Sequence, residues 1–127
     1  MTYRILVTGS RGFTARALLE KTLMGILARA NTLDVEIWHG GCPSGADQMA
    51  HDFCLAHRIP EKVFPADWNG YGKAAGPMRN EKMAKAGPDL CAAFPAGLTP
   101  GTRHMIECAI EYGIRTLITP QVPSEQP

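Results

Sequence analysis

The stretch Ile37-Trp38-His39-Gly40-Gly41-Cys42-Pro43-Ser44-Gly45-Ala46-Asp47 constrains this chain more than any other. Val35 to Trp38 favour an extended, buried strand, while Met49, Ala50, Phe53 and Cys54 recur at helical spacing. A strand therefore meets a helix across a turn of small residues. Gly40, Gly41 and Gly45 let the backbone take positive φ and admit another chain or a ligand closely. The N–H groups of the helix's first turn point into that gap with partial positive charge, so the turn reads as an anion site.

The same logic recurs at both ends of the chain. Tyr3-Arg4-Ile5-Leu6-Val7-Thr8-Gly9-Ser10-Arg11-Gly12-Phe13 runs from a strand into a glycine turn, and Leu90 to Phe94 runs through Pro95, Gly97 and Gly101 into Thr102-Arg103. Between these turns the chain reads as strands at Tyr3 to Thr8, Val35 to His39, Lys62 to Phe64, Asp89 to Phe94 and Arg115 to Thr119. Helices carry Leu18, Leu23, Ile26 and Leu27 after a cap at Thr14, then Ala46 to about His57, Pro77 to Ala86, and a last one with Met105, Ile106, Ala109 and Ile110 inward. Pro65 to Gly76 has no clear periodicity and holds Trp68 and Tyr71 among turn formers, the kind of long loop that covers a ligand.

Alternation of this kind predicts an α/β fold: one Rossmann-like, three-layer domain over residues 1–119 with a five-stranded, mainly parallel sheet in the order 3-2-1-4-5. Residues 120–127 have no core-forming pattern and read as a mobile tail. The length of 127 residues suits one core of ordinary size. A net charge of +1 argues against a nucleic acid or an acidic membrane as partner. No segment has the apolar length of a membrane span, and Met1 to Gly9 is a charged strand pattern rather than a signal peptide, so a cytoplasmic protein is expected. Cys42, Cys54, Cys91 and Cys108 lack the C-x-x-C spacing of a zinc or redox site; the last three sit in apolar patterns, as core residues do.

In a sheet wound 3-2-1-4-5 the crevice opens at the carboxyl ends of strands 1 and 4, where the loops at Gly9, Gly40 and Gly97 converge. Arg11 and Arg103 are then placed to fork onto phosphate oxygens, with the hydroxyls of Ser10, Ser44 and Thr102 beside them. A phosphorylated small molecule is the fitting ligand. Neither a P-loop ending in Gly-Lys-Ser/Thr nor a complete G-x-G-x-x-G is present, which disfavours ordinary NTPase and NAD-dependent dehydrogenase chemistry. Asp47 and His51 share a helix face but make too few ligands for a metal, and neither a metal nor a cofactor is expected. His104 reads as a solvated side chain.

Val7-Thr8-Gly9-Ser10-Arg11, His39-Gly40-Gly41 with Gly45-Ala46-Asp47, Phe64-Pro65-Ala66-Asp67-Trp68, Gly76-Pro77-Met78-Arg79-Asn80 and Phe94-Pro95 with Gly101-Thr102 together resemble the YspA/cpYpsA-related SLOG family, in order from about Arg4 to Leu117. The resemblance implies a Rossmann-like domain related to the LOG nucleoside-monophosphate phosphoribohydrolases and to DprA-like proteins, with a pocket for a nucleotide or nucleotide-derived ligand and a homodimeric assembly. On that basis Gly9, Ser10, Arg11, Gly40, Gly41, Ser44, Gly45, Arg79, Asn80, Pro95, Gly97, Gly101, Thr102 and Arg103 are expected to hold the ligand, with Trp68 or Tyr71 stacking on a base.

The LOG pattern P-G-G-x-G-T-x-x-E is partly matched by Pro95, Gly97, Gly101 and Thr102, in a longer loop with Ala96 at the second motif position. Its catalytic Glu position falls on Met105, whose thioether neither stabilises an oxocarbenium-like centre nor exchanges a proton. Two functions follow: a sensor or sequestering protein that binds a nucleotide, or an N-glycosidase acting on a nucleoside monophosphate with Glu81 or Asp47 as its acid or base. Single-stranded DNA binding, by likeness to DprA, is disfavoured by the missing basic excess.

Overall fold

Tyr3–Gly9 forms β1, and the alternation of its side chains decides the layers. Ile5 and Val7 join one apolar cluster with Leu19, Leu23 and Phe53, while Leu6 joins another with Trp38, Phe64, Met83 and Met105. A strand buried on both faces must be covered twice. In this computed structural model, which describes residues 1–97 and 99–120, α1 (Arg16–Ala30) and α2 (Gly45–His57) cover the first face. After α3 (Trp68–Tyr71), a single turn, α4 (Ala75–Lys85) and α5 (Pro100–Glu111) cover the second.

The remaining strands are β2 (Val35–His39), β3 (Glu61–Val63), β4 (Leu90–Phe94) and β5 (Arg115–Ile118). The sheet runs β3-β2-β1-β4-β5 and every pairing is parallel, as the alternation predicts. All five residues of β4 are buried, and β1 is fixed between β2 and β4 by registers such as Leu6 opposite Trp38 and Cys91. Burial pushes the thiols of Cys54 and Cys91 up to about 12, which leaves them inert packing groups. Among the described residues no helix is long and apolar enough to cross a membrane.

The local differences from the sequence reading have physical causes. Thr14 does not cap α1: Ala15 occupies the cap without a side-chain bond, and Leu19 turns inward with Leu23 and Ile26. The segment expected to be one long loop is partly helical. Asp67 Oδ1 accepts the Gly70 N–H at 2.9 Å and nucleates α3, a 3₁₀ turn follows at Gly72–Ala74, and α4 begins at Ala75 rather than at Pro77. Ile110, expected to pack, is exposed. The tail expected at 120–127 lies outside the described residues apart from Pro120.

Candidate functional site

Close backbone approach brings the loop ends together. A Cβ on Gly9 would stand 2.5 Å from Ala46 Cβ and 2.7 Å from the Phe94 carbonyl oxygen, so the end of β1 is wedged between α2 and the end of β4. Gly45 has φ +66° and would drive a side chain into the backbone of Ser10 and Arg11; only glycine sits there without strain. The result is a hollow of about 820 Å³ at the carboxyl edge of the sheet, a size suited to a small ligand. Thr8 to Gly12, Gly40 to Pro43 with Asp47, and Thr99 to Thr102 line it, together with Trp68, Lys73, Pro77, Arg79, Asn80 and Met83.

Of the helices that start at this edge, α2 and α5 differ in kind. At α2 the expected anion site is already filled by the protein: the Ala46 N–H is directed at the Ser10 carbonyl at 3.4 Å, and Asp47 Oδ2 accepts the Cys42 N–H at 3.2 Å. A carboxylate at that turn repels an incoming anion. At α5 the cap residue Thr99 makes no side-chain bond to the helix backbone and Pro100 opens the first turn, so the amides of Gly101 and Thr102 keep no capping side chain. Beside them runs a hydroxyl chain. The Ala96 N–H donates to Ser10 Oγ at 2.9 Å, Ser10 Oγ meets Thr99 Oγ1 at 2.9 Å, and Thr99 Oγ1 donates to Thr102 Oγ1 at 3.0 Å. With Thr99 donating to Thr102, the Thr102 hydroxyl is the end of the chain, and among the described residues it donates to no further group.

Arg79, through Nη1 and Nε, and Asn80 bond inside the protein. Arg79 Nη1 donates to the carbonyls of Gly40 at 3.0 Å and Phe64 at 3.2 Å, and its Nε donates to Asn80 Oδ1 at 3.0 Å. Asn80 Nδ2 reaches the Gly101 carbonyl at 3.3 Å and His104 Nδ1 at 3.2 Å. This pair ties the loop after β2, the end of β3 and the first turn of α5 into one rigid floor.

Asp47 is the acidic group of the hollow. Burial pushes its carboxyl above the ordinary value of 3.8; the Cys42 amide, His39, Arg79 and the Gly40 amide oppose this without cancelling it. Behind it lies a second cluster in which Glu61 meets both His39 Nε2 and His51 Nδ1, the latter at 2.8 Å. His39 Nδ1 accepts the Gly41 N–H at 3.0 Å, so its proton sits on Nε2 and points at Glu61. A metal on Nε2 would require a proton on Nδ1, facing the Gly41 donor. The donor set suits two shared protons better than an ion.

Of the residues expected at the site, Gly9, Ser10, Arg11, Gly40, Gly41, Asp47, Trp68, Arg79, Asn80, Gly101 and Thr102 line this hollow. Ser44, Gly45 and Tyr71 do not. Pro95, Gly97 and Arg103 edge a smaller depression on the outer side of α5, shared with Thr99 and Thr102. Glu81 is exposed beside Tyr112, whose phenol its charge pushes up, away from the hollow. Met105 is fully buried. The sequence reading did not single out Thr8, Lys73 or Thr99, and took His104 as solvated. His104 is half-buried and held by Asn80 rather than solvated. Trp68 is half-exposed at the rim, with the Arg11 guanidinium carbon 6.0 Å from its ring centroid.

The family model described as the YspA, cpYpsA-related SLOG family matches residues 3–71. The Gene 61 protein of Mycobacterium phage D29 is 37% identical to this chain over 116 residues, which cover 87% of this chain and 91% of that protein. Among solved structures, the C-terminal domain of a hydrogenase from Pyrococcus furiosus resembles this chain with a TM-score of 0.50 at 18% identity, across 91% of this chain and 90% of that one. At that identity the likeness is one of fold.

Proposed function

Because the chain belongs to the YspA, cpYpsA-related SLOG family, we propose that it binds a nucleotide or nucleotide-derived ligand in the hollow at the carboxyl edge of its sheet, as a cytoplasmic sensor or sequestering protein. The observation that carries this reading is the asymmetry between the two helix starts. The first turn of α5, with the Thr102 hydroxyl at the end of the hydroxyl chain, favours an anionic group, and Arg11 and Lys73 add positive charge to the same hollow. The α2 side holds a carboxylate and favours a donor. A ligand with a phosphate at one end and hydroxyls further along suits that order, and Trp68 at the rim offers a face for a base. Ser10, Arg79 and Asn80 act in this reading by fixing the loops rather than by touching phosphate.

A second reading, cleavage of the N-glycosidic bond of a nucleoside monophosphate, is favoured by one observation: a carboxyl pushed up by burial inside the hollow is the property of a general acid. Asp47 takes that role here in preference to Glu81, which stands outside the hollow. Titration calorimetry with a panel of ribonucleoside monophosphates and dinucleotides, run beside chromatographic detection of free base, tests both readings. Micromolar binding without base release supports the sensor. Base release lost in Asp47→Asn supports the hydrolase, and neither binding nor release overturns both.

A further inference from the structure

We propose that Asp47 reads the sugar of the bound nucleotide: its carboxylate accepts hydrogen bonds from a vicinal 2′,3′-diol, so the ligand is a ribonucleotide with both hydroxyls free. This deepens the binding reading above and rests on it.

The side chain is not occupied as a helix cap. A carboxylate in the first turn of a helix ordinarily satisfies the cap residue's own amide, as in a capping box. Asp47 instead reaches back past the cap Ser44 to the Cys42 N–H, which turns it toward the loop after β2 and into the wall of the hollow. There Oδ2 takes the Cys42 amide, and the Gly40 amide also favours the carboxylate. No lysine, arginine or histidine among the described residues closes an ion pair onto the carboxylate. An ionised carboxylate offers about four acceptor positions, and two adjacent sugar hydroxyls are donors that match the open side of such a group.

The neighbours set the polarity of the site. The Gly40 carbonyl on this wall is engaged by Arg79 Nη1, and Asp47 is the charged acceptor that a ligand meets there. Phosphate is repelled from this side and drawn to the first turn of α5, which directs the sugar rather than the anion to Asp47. Position in the fold agrees: in open parallel sheets a ligand lies across the carboxyl ends of the strands, and in the dinucleotide-binding ones an acidic residue meets the ribose hydroxyl there. Asp47 stands just beyond the carboxyl end of β2. Burial has already stripped water from this carboxylate, so two donors restore what desolvation removes.

The test is calorimetry on the full chain with a ribonucleoside 5′-monophosphate, its 2′-deoxy and 3′-deoxy forms and its 2′,3′-cyclic form. Each missing donor to a charged acceptor is expected to weaken binding about tenfold to a hundredfold. Asp47→Asn keeps an oxygen for the Cys42 amide. It is expected to bind ribo and 2′-deoxy forms equally while melting no earlier than the parent. Equal affinity of the parent for ribo and deoxy forms overturns this proposal and leaves the binding reading standing, as does a ribose preference that survives in Asp47→Asn. No binding of any nucleotide overturns the binding reading and this proposal with it.

Discussion

The guanidinium of Arg79 fills the space that a side chain on residue 40 would need: Nη1 holds the Gly40 carbonyl at 3.0 Å, and a Cβ on Gly40 would stand 2.7 Å from Arg79 Cζ. The glycine is there because the arginine crosses it. Arg79→Ala leaves the carbonyls of Gly40 and Phe64 and the Asn80 amide oxygen without their donor, and is expected to cost about 2–3 kcal/mol. Gly40→Ala forces the half-buried guanidinium aside and costs a similar amount alone. In the Arg79→Ala background the same change no longer meets the guanidinium, only the Asp47 carboxylate with Oδ2 at 3.1 Å, and costs less. A double-mutant cycle by urea unfolding reads this coupling, and additive losses would show that the two residues do not share one contact.

Asp47 is expected to cost the protein stability at neutral pH. Its native pKa lies above the ordinary 3.8, so the folded state holds this proton more tightly than the unfolded chain does. Stability is therefore lost as the pH rises through that range, and Asp47→Asn recovers it, on the order of 1 kcal/mol at pH 7. Below 3.8 both states are protonated and the gain vanishes. The groups that face this carboxyl are His39 from β2, Arg79 from α4 and Cys42 from the loop between β2 and α2. Melting curves of parent and variant from pH 3 to 8 check it. Function separates by sign: a ribose-reading carboxylate weakens as pH falls through its native pKa, whereas a general acid gains.

Glu61 has the opposite sign. Burial alone would lift its carboxyl, but donation from His39 and His51 outweighs that and holds it below 4.5. Its contribution is present in full above 4.5 and is lost as the pH falls through the lowered native value. Glu61→Gln is expected to destabilise by about 1–3 kcal/mol at pH 7, with the gap to the parent closing in acid. β3 is a three-residue edge strand paired to β2, so hydrogen exchange should quicken first at the Phe64 amide, which donates to the His39 carbonyl at 2.9 Å.

The strand order was legible because β1 and β4 are near-continuous apolar runs that demand cover on both faces, and alternation with helices leaves few windings. The hollow was legible through its glycines, since Gly9 and Gly45 mark where backbones touch. What each polar residue does there was not. Arg79 looks like a phosphate clamp until the Gly40 and Phe64 carbonyls are seen to occupy its Nη1, and carbonyls belong to no residue type. The turn before α2 looks like an anion site until Asp47 is found folded back across it. Pro65 to Gly76 hid its short helical turns because they are too brief for periodicity, although the Asp67 to Gly70 spacing carries a local capping signal.

Trp68 allows binding and folding to be moved in opposite directions. The indole is half-exposed, so Trp68→Ala removes little buried surface and is expected to change stability by under about 1 kcal/mol. Loss of a stacking face for a base is expected to weaken nucleotide binding about tenfold or more. Gly76 gives a subtler handle, since it lies in α4 and a Cβ there would stand 3.2 Å from the indole Cη2. Gly76→Ala improves helix propensity, by up to about 1 kcal/mol, while pushing the ring outward. The variant should melt no earlier than the parent and still bind less tightly. Trp38, the other tryptophan, is 2% exposed beneath Phe64, so ligand quenching of emission should come from Trp68 and vanish in Trp68→Phe. Unchanged affinity in Trp68→Ala and Gly76→Ala would place the base elsewhere in the hollow, and the rim tryptophan would then be cover for the sheet edge alone.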